Sequence, residues 1–188
     1  MATVREGNKT VLVIVDVQVR VMAEAWEAPR VIANIARAVE RARSQRVPVL
    51  WVQHESDGMP HGSPQWQWVP ELKPAPGEPL IHKRFNSGFE QTTLEAELGR
   101  LGATHITLAG AETNWCIRAT AYGAIERGYD LTLVKDGHTA ISMQLDDGVA
   151  VEAPHVVDDL NITMNWLEYP GRRTRTVATE ALDFTAAS

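Results

Sequence analysis

Short, β-branched apolar runs alternate along this chain with stretches of helical periodicity, and this alternation limits the possible folds more than any other feature of the sequence. The first run, Thr10 to Val15 (TVLVIV), is apolar apart from its first residue and stops at Asp16. Such a run is the mark of a strand buried on both faces, as in a parallel sheet. Pro29 then opens a helical pattern. Val31, Ile32, Ile35, Ala36 and Val39 share one side, with Arg37, Glu40, Arg41 and Arg43 largely opposite. Val47 to Gln53 reads as a second strand, and Leu80 to Lys83 as a short third. Thr92 with Glu95 has the spacing of a capping box and leads a helix through Leu94, Leu98 and Leu101. His105 to Ala109 is a strand, Gly110 to Trp115 a turn, and Cys116 to Arg127 a helix closed by Gly128. Tyr129 to Val134 is another strand, ending at Lys135-Asp136. Pro154 starts a helix with Val157, Leu160, Met164 and Leu167 on one side, and Arg173 to Thr179 is the last strand.

Strands alternating with helices imply a parallel sheet covered on both faces. The expected architecture is a single α/β domain over residues 1–188. It is a three-layer α/β/α fold around a central, mainly parallel sheet of about six strands. The segment from Glu55 to Pro79 is rich in Gly and Pro and carries Trp66 and Trp68. It reads as a long loop, and loops of that length in a compact domain are usually functional.

Composition removes several classes of function. Eighteen Lys and Arg against 24 Asp and Glu leave a formal charge of −6, with no basic stripe to attract nucleic acid or an anionic membrane. No apolar run reaches the roughly 18 residues that span a bilayer. Met1 to Lys9 is polar and lacks an apolar signal core. The single cysteine can form neither an internal disulfide nor a cysteine-based metal site, so a reducing, cytoplasmic location is expected. Neither a Gly-x-Gly-x-x-Gly pattern nor a P-loop occurs.

In parallel sheets ligands sit beyond the carboxyl ends of the strands. That rule puts Asp16, the residues after Gln53, Lys83, the 110–116 turn and Asp136 along one edge. Cys116 falls near an expected helix N-terminus, where backbone N–H groups and the helix dipole favour a thiolate and can hold an oxyanion. A buried, inert thiol is the competing reading, because free Cys is among the most buried residue types. Asp16 is either a solvated strand end or a base, and Lys83 either a surface cation or a partner to both. Taken together they suggest a nucleophile, a base and an orienting cation, with the ammonium depressing the pKa values of the other two.

These residues resemble a known family. The DVQ stretch at Asp16 to Gln18, the HKRFNSGF segment around Lys83 and GAETNWCIRATAYGAIERGY from Gly110 to Tyr129 are similar to the isochorismatase-like cysteine hydrolases. The resemblance covers roughly residues 10–140 and implies a Rossmann-like α/β/α fold with a catalytic triad of Asp16, Lys83 and Cys116. It implies that the thiolate attacks a carbonyl, that Asp16 serves as general base and then acid, and that a covalent acyl-enzyme forms. It further implies a cis peptide between Ala111 and Glu112, with the N–H groups of Glu112 and Cys116 as the oxyanion hole. The presence of Cys116 points to hydrolysis of a C–N bond (amide, lactam or ureide) in a small molecule. The alternatives are vinyl-ether cleavage of an isochorismate-like acid, and a non-catalytic or redox-sensing member of the same fold. A homodimer or larger homo-oligomer is also implied, and no cofactor.

Departures from the family pattern qualify this picture. Glu112 stands where a neutral residue is expected, and its carboxylate beside an oxyanion site would repel charge or select a cationic substrate. The nicotinamidase branch holds a metal through Asp-x-His and a later His. Gln53-His54-Glu55-Ser56-Asp57 lacks that spacing, so no catalytic metal is expected. The GSPQW segment, Gly62 to Trp66, is similar to the streptothricin hydrolase-like subgroup, whose Ala-His-His-Asn helix is replaced here by Val157-Asp158-Asp159-Leu160-Asn161. Gln18, His54, Trp66, Phe85, Asn86 and Trp115 are candidates for substrate contact; core, capping or surface roles compete with that for each of them.

Overall fold

The computed structural model describes residue 2 and residues 4–184. Its strands are β1 (Lys9–Val15), β2 (Val49–His54), β3 (Leu80–Lys83), β4 (Ala103–Ala111), β5 (Asp130–Thr139), β6 (Met143–Gln144), β7 (Ala150–Val151) and β8 (Thr174–Val177). Its α-helices are α1 (Val19–Met22), α2 (Ala28–Ser44), α3 (Leu94–Arg100), α4 (Arg118–Glu126) and α5 (Ala153–Trp166). A π-helical turn, Thr113–Ile117, precedes α4, and a 3-10 turn, Thr179–Ala181, follows β8. Six strands form one sheet in the order β3-β2-β1-β4-β5-β8, and every pairing in it is parallel. The short β6 and β7 make a separate antiparallel pair.

Strand β1 shows why the core has two halves. Val11, Val13 and Val15 project to one face, against α3, the π-helical turn, α4 and α5 through Leu94, Leu98, Ile117, Ala121, Leu160 and Met164. Leu12 and Ile14 project to the other, against Val31, Ile35, Ala38 and Val39 of α2. All five β1 residues are inaccessible to solvent. At about 1.5–3 kcal/mol for each large apolar side chain removed from water, a strand so placed is fixed in register by its own sequence.

Three features depart from the sequence reading. The capping box does not form. Thr92 Oγ1 accepts from Leu94 N at 3.2 Å while donating to Gly88 O, and Glu95 instead bonds Arg5 and the Tyr129 hydroxyl. Partners distant in sequence outcompete the local cap. Second, β5 does not stop at Lys135-Asp136. It bulges there and rejoins β4, so that Gly110 pairs with His138 and Ala111 with Thr139. Third, the helix expected from Cys116 splits into the π-helical turn and α4. The 55–79 segment is the long loop expected, without a helix or strand of its own, and it packs closely on the domain. Val69 and Leu72 are buried with the α2 side of the core, and Trp68 meets fully buried Trp51 edge to face at 5.0 Å.

Candidate active site

The strand register assembles the site. Val15 pairs with Val52 on one side and Gly110 on the other, and His54 pairs with Lys83. The carboxyl ends of β1, β3 and β4 therefore lie along one edge. Asp16 follows β1 with a positive φ of 54°, a conformation that Asp tolerates better than most residues. Its N–H still reaches Val52 O at 2.9 Å, and the chain then leaves the sheet. Gly110 permits the close approach of β4 to β1. Its φ is 133°, and a Cβ there would lie 2.0 Å from Val15 O. The Ala111–Glu112 peptide that follows is cis.

Lys83 is the centre of the cluster. Its ammonium lies 2.6 Å from Asp16 Oδ2 and donates to Cys116 Sγ at 3.1 Å; His54 Nδ1 is 3.4 Å away. The Lys83 and Asp16 side chains are 0% and 2% exposed, while Cys116 remains partly accessible. Asp16 Oδ1 is buried and, among the described residues, has no hydrogen-bond partner. Burial alone would drive the Lys83 pKa down, but the charges of Asp16 and Cys116 outweigh it and hold Lys83 above the ordinary lysine value. Burial and the neighbouring Lys83 ammonium push His54 down, leaving a neutral imidazole.

The thiol departs from expectation. Burial first, and the Asp16 carboxylate second, raise the Cys116 pKa to about 12, against the opposing pull of Lys83. Burial and the Asp16 charge thus favour the protonated thiol beside the Asp16–Lys83 ion pair. Chemically, such a set can pass the thiol proton to the carboxylate as sulfur attacks an electrophile, while the ammonium stays charged throughout.

Glu112 is half-buried. Burial, followed by the Asp16 charge, raises its carboxyl pKa, and a hydrogen bond from Ile141 N–H opposes the shift. The Glu112 carbonyl accepts from the N–H groups of Trp115 and Ile117 and so closes the π-helical turn.

The remaining candidates fall into two groups. Gln18 is buried and tied up internally. Its Nε2 donates to His54 O at 2.9 Å and to Trp66 O at 2.8 Å, and its Oε1 accepts from His54 N at 3.0 Å. It fastens the 55–66 segment and His54 to the start of the site. Trp66 is buried and stacks on His82, which alternates to the opposite face of β3 from Lys83. Phe85, Asn86 and Trp115 are exposed in the segments adjoining Lys83 and Cys116.

Two anchoring contacts escaped the sequence reading, and a third, the pairing of Arg118 with a distant carboxylate, is as its position predicts. His138, fully buried on β5, meets Thr113 Oγ1 through Nδ1 at 2.8 Å and Asn161 Oδ1 through Nε2 at 3.1 Å. Asn161 Nδ2 donates to Lys135 O, which leaves Asn161 Oδ1 as acceptor. His138 Nε2 must then carry the proton, and the Thr113 hydroxyl donates to Nδ1. This relay ties α5 to the turn bearing Cys116. Gly88 N–H donates to Thr120 Oγ1 at 2.9 Å and fixes the segment after Lys83 to α4. Arg118 pairs with Asp159 on α5. Thr113 and Thr120 belong to the motif-bearing stretch, but nothing in a sequence marks their distant partners.

An open groove of about 870 Å³ lies at the amino ends of the strands, lined in part by His105, Asp130, Thr132, Tyr169, Arg172 and Arg175. It is remote from the Asp16–Lys83–Cys116 cluster.

A three-layer α/β/α fold with a cysteine, an aspartate and a lysine converging at the carboxyl edge of its sheet defines the class. Solved structures share that fold. An isochorismatase from Pseudomonas putida KT2440 superposes with a TM-score of 0.81 at 24% identity, covering 94% of this chain and 91% of that one. A cysteine hydrolase from Pseudomonas syringae pv. phaseolicola 1448A gives a TM-score of 0.86 at 20% identity, covering 96% and 94%. Residues 10–153 match the model of the isochorismatase domain, and the chain belongs to the isochorismatase family. Among characterised relatives, a streptothricin hydrolase from Streptomyces noursei is 28% identical over 76% of this chain and 54% of its own length. A ureidoacrylate amidohydrolase from Methylobacterium radiotolerans is 33% identical over 53% of this chain and 51% of its own. The chain thus spans about half the length of these relatives.

Proposed function

We propose that this protein is a cysteine-dependent hydrolase that cleaves a C–N bond, of an amide, lactam or ureide, in a small molecule. The observation that carries this reading is the Lys83 ammonium, buried and shared between Asp16 Oδ2 at 2.6 Å and Cys116 Sγ at 3.1 Å. A buried cation joining a carboxylate to the only thiol of the chain is costly to maintain for structure alone.

In the proposed cycle Asp16 accepts the Cys116 proton as Sγ bonds to the substrate carbonyl carbon. The oxyanion is received by the backbone N–H groups of Glu112 and Cys116. Collapse breaks the C–N bond, and protonated Asp16 returns its proton to the departing nitrogen. Asp16 then deprotonates a water that attacks the thioester, and the acid leaves as sulfur recovers a proton. Lys83 keeps Asp16 and Cys116 in register and balances charge. Phe85, Asn86 and Trp115 are the proposed substrate contacts. The names of the relatives, streptothricin hydrolase and ureidoacrylate amidohydrolase, support a C–N substrate.

The test is a panel of simple amides, lactams and ureides, with release of ammonia or amine measured and the Cys116 peptide weighed after rapid quench. Turnover with an acyl adduct on Cys116 is expected, and Cys116→Ala should abolish both while leaving the circular dichroism spectrum unchanged. Turnover that survives Cys116→Ala would remove the mechanism.

A further inference from the structure

Behind the site, on the opposite face of β3, three potential metal-ligating side chains converge from three separate segments. Glu55 follows β2, His61 lies in the long connection, and His82 sits on β3 immediately before Lys83. Their ligand atoms all lie within 4.8 Å of one another. Glu55 Oε2 and His61 Nδ1 are already 3.3 Å apart. A tetrahedral zinc-type centre has bonds of about 2.0–2.1 Å to histidine and carboxylate, which corresponds to ligand atoms about 3.4 Å apart. Glu55 and His61 thus already hold one pair of donor atoms at that spacing, and no pair among the three ligand atoms exceeds it by more than about 1.4 Å.

The surroundings support the ligands. Arg84 Nε donates to Glu55 Oε1 at 2.9 Å, the oxygen not facing His61, so the carboxylate is oriented without its inner oxygen being used by the arginine. Ligating carboxylates are commonly held this way by an outer hydrogen bond. Both imidazoles rest on Trp66. His61 meets it at 4.3 Å, His82 stacks on it at 5.5 Å, and the two histidine rings meet each other at 5.0 Å. Because Trp66 is buried, it serves as a fixed wall that limits the motion of both rings.

We propose that Glu55, His61 and His82 bind a divalent transition-metal ion of the zinc type, with water completing the coordination. Two imidazoles and one carboxylate are a donor set suited to such ions and poorly suited to magnesium or calcium, which prefer all-oxygen ligation. The missing Asp-x-His spacing argues only against a catalytic metal; here the donors are spread over 28 positions of sequence, from Glu55 to His82 inclusive. The ion would join the long connection to the edge strand that presents Lys83, across the sheet from the thiol. It would act as a structural clasp, and it does not depend on the hydrolase reading.

The experiment is a Co2+ titration of protein freed of any affinity tag, followed by visible absorption, in a Cys116→Ala background that removes the competing thiol. Expected is a saturable one-to-one rise of the intense d–d bands of low-symmetry cobalt, displaced by Zn2+. His61→Ala and His82→Asn should each weaken binding at least tenfold. His61 is 61% exposed, so its loss leaves the fold intact. A spectrum that stays that of hydrated Co2+ would overturn the proposal. So would bands that persist unchanged in both histidine variants, or binding that appears only when Cys116 is present.

Discussion

Asp16 and Lys83 pull on the Cys116 proton in opposite directions, and this makes Asp16→Asn a sharper probe than a loss of activity alone. The Asp16 charge, after burial, holds the thiol pKa up near 12, while Lys83 draws it down. Asparagine removes the first influence and keeps the second. The thiol of Asp16→Asn should therefore ionise at lower pH than in the parent and react faster with iodoacetamide at neutral pH, although turnover falls for want of a base. Rates of alkylation against pH for the two proteins would settle it, and a slower-reacting variant would show that Asp16 does not raise the thiol pKa. Lys83→Met should do the reverse: it leaves Asp16 buried without its counter-ion. Removing one partner of a buried pair typically costs about 3–5 kcal/mol. A urea midpoint unchanged in Lys83→Met would mean that the pair is better hydrated than its 0% and 2% exposures imply.

At the scale of elements, the turn that carries Cys116 is held by contacts that no local pattern encodes. Thr113–Ile117 is π-helical and its hydroxyl anchor is His138, 25 residues on, itself held by Asn161. Substituting His138 by Gln removes the geometry of the relay without adding volume. The expected result is a several-fold fall in kcat, with little change in KM, because the nucleophile and not the substrate is displaced. An equal rise in KM would assign His138 to substrate binding instead. The same relay explains what was legible beforehand and what was not. The strand ends were readable, because uninterrupted apolar runs such as Thr10–Val15 stop at charges and a parallel sheet must collect those ends on one edge. Thus Asp16, Lys83 and Cys116 could be picked out and grouped. The bulge in β5 was hidden, since Lys135-Asp136 looks like a strand end when its partner at Gly110 is unknown. The capping box failed for a related reason: Glu95 had a better partner in Arg5, 90 residues away. The depressed thiol pKa expected from a helix N-terminus also failed, because burial and Asp16 could not be weighed without coordinates.

For the molecule as a whole, two buried histidines contribute strongly to the response to acid. His138 and His105 are both lowered to about 4, chiefly by burial; Arg175 adds to the effect at His105, while Asn161 and Asp136 oppose it at His138. In the unfolded chain each would titrate near 6.5. Between about 6.5 and 4 the unfolded state binds more protons than the folded one, so stability falls as pH falls, and above this window the two groups cost nothing. At pH 5 the penalty is about 2 kcal/mol for each, or about 4 kcal/mol together. Domains of this kind are commonly stable by about 5–15 kcal/mol, so the loss would be a substantial fraction. Urea unfolding at pH 7.5 and pH 5 should show a marked drop in midpoint with the slope unchanged. His138→Gln, which carries no titrating group, should be less stable at neutral pH yet lose less on acidification than the parent. A parent protein equally stable at both pH values would mean that both of these imidazoles take up their protons inside the folded core.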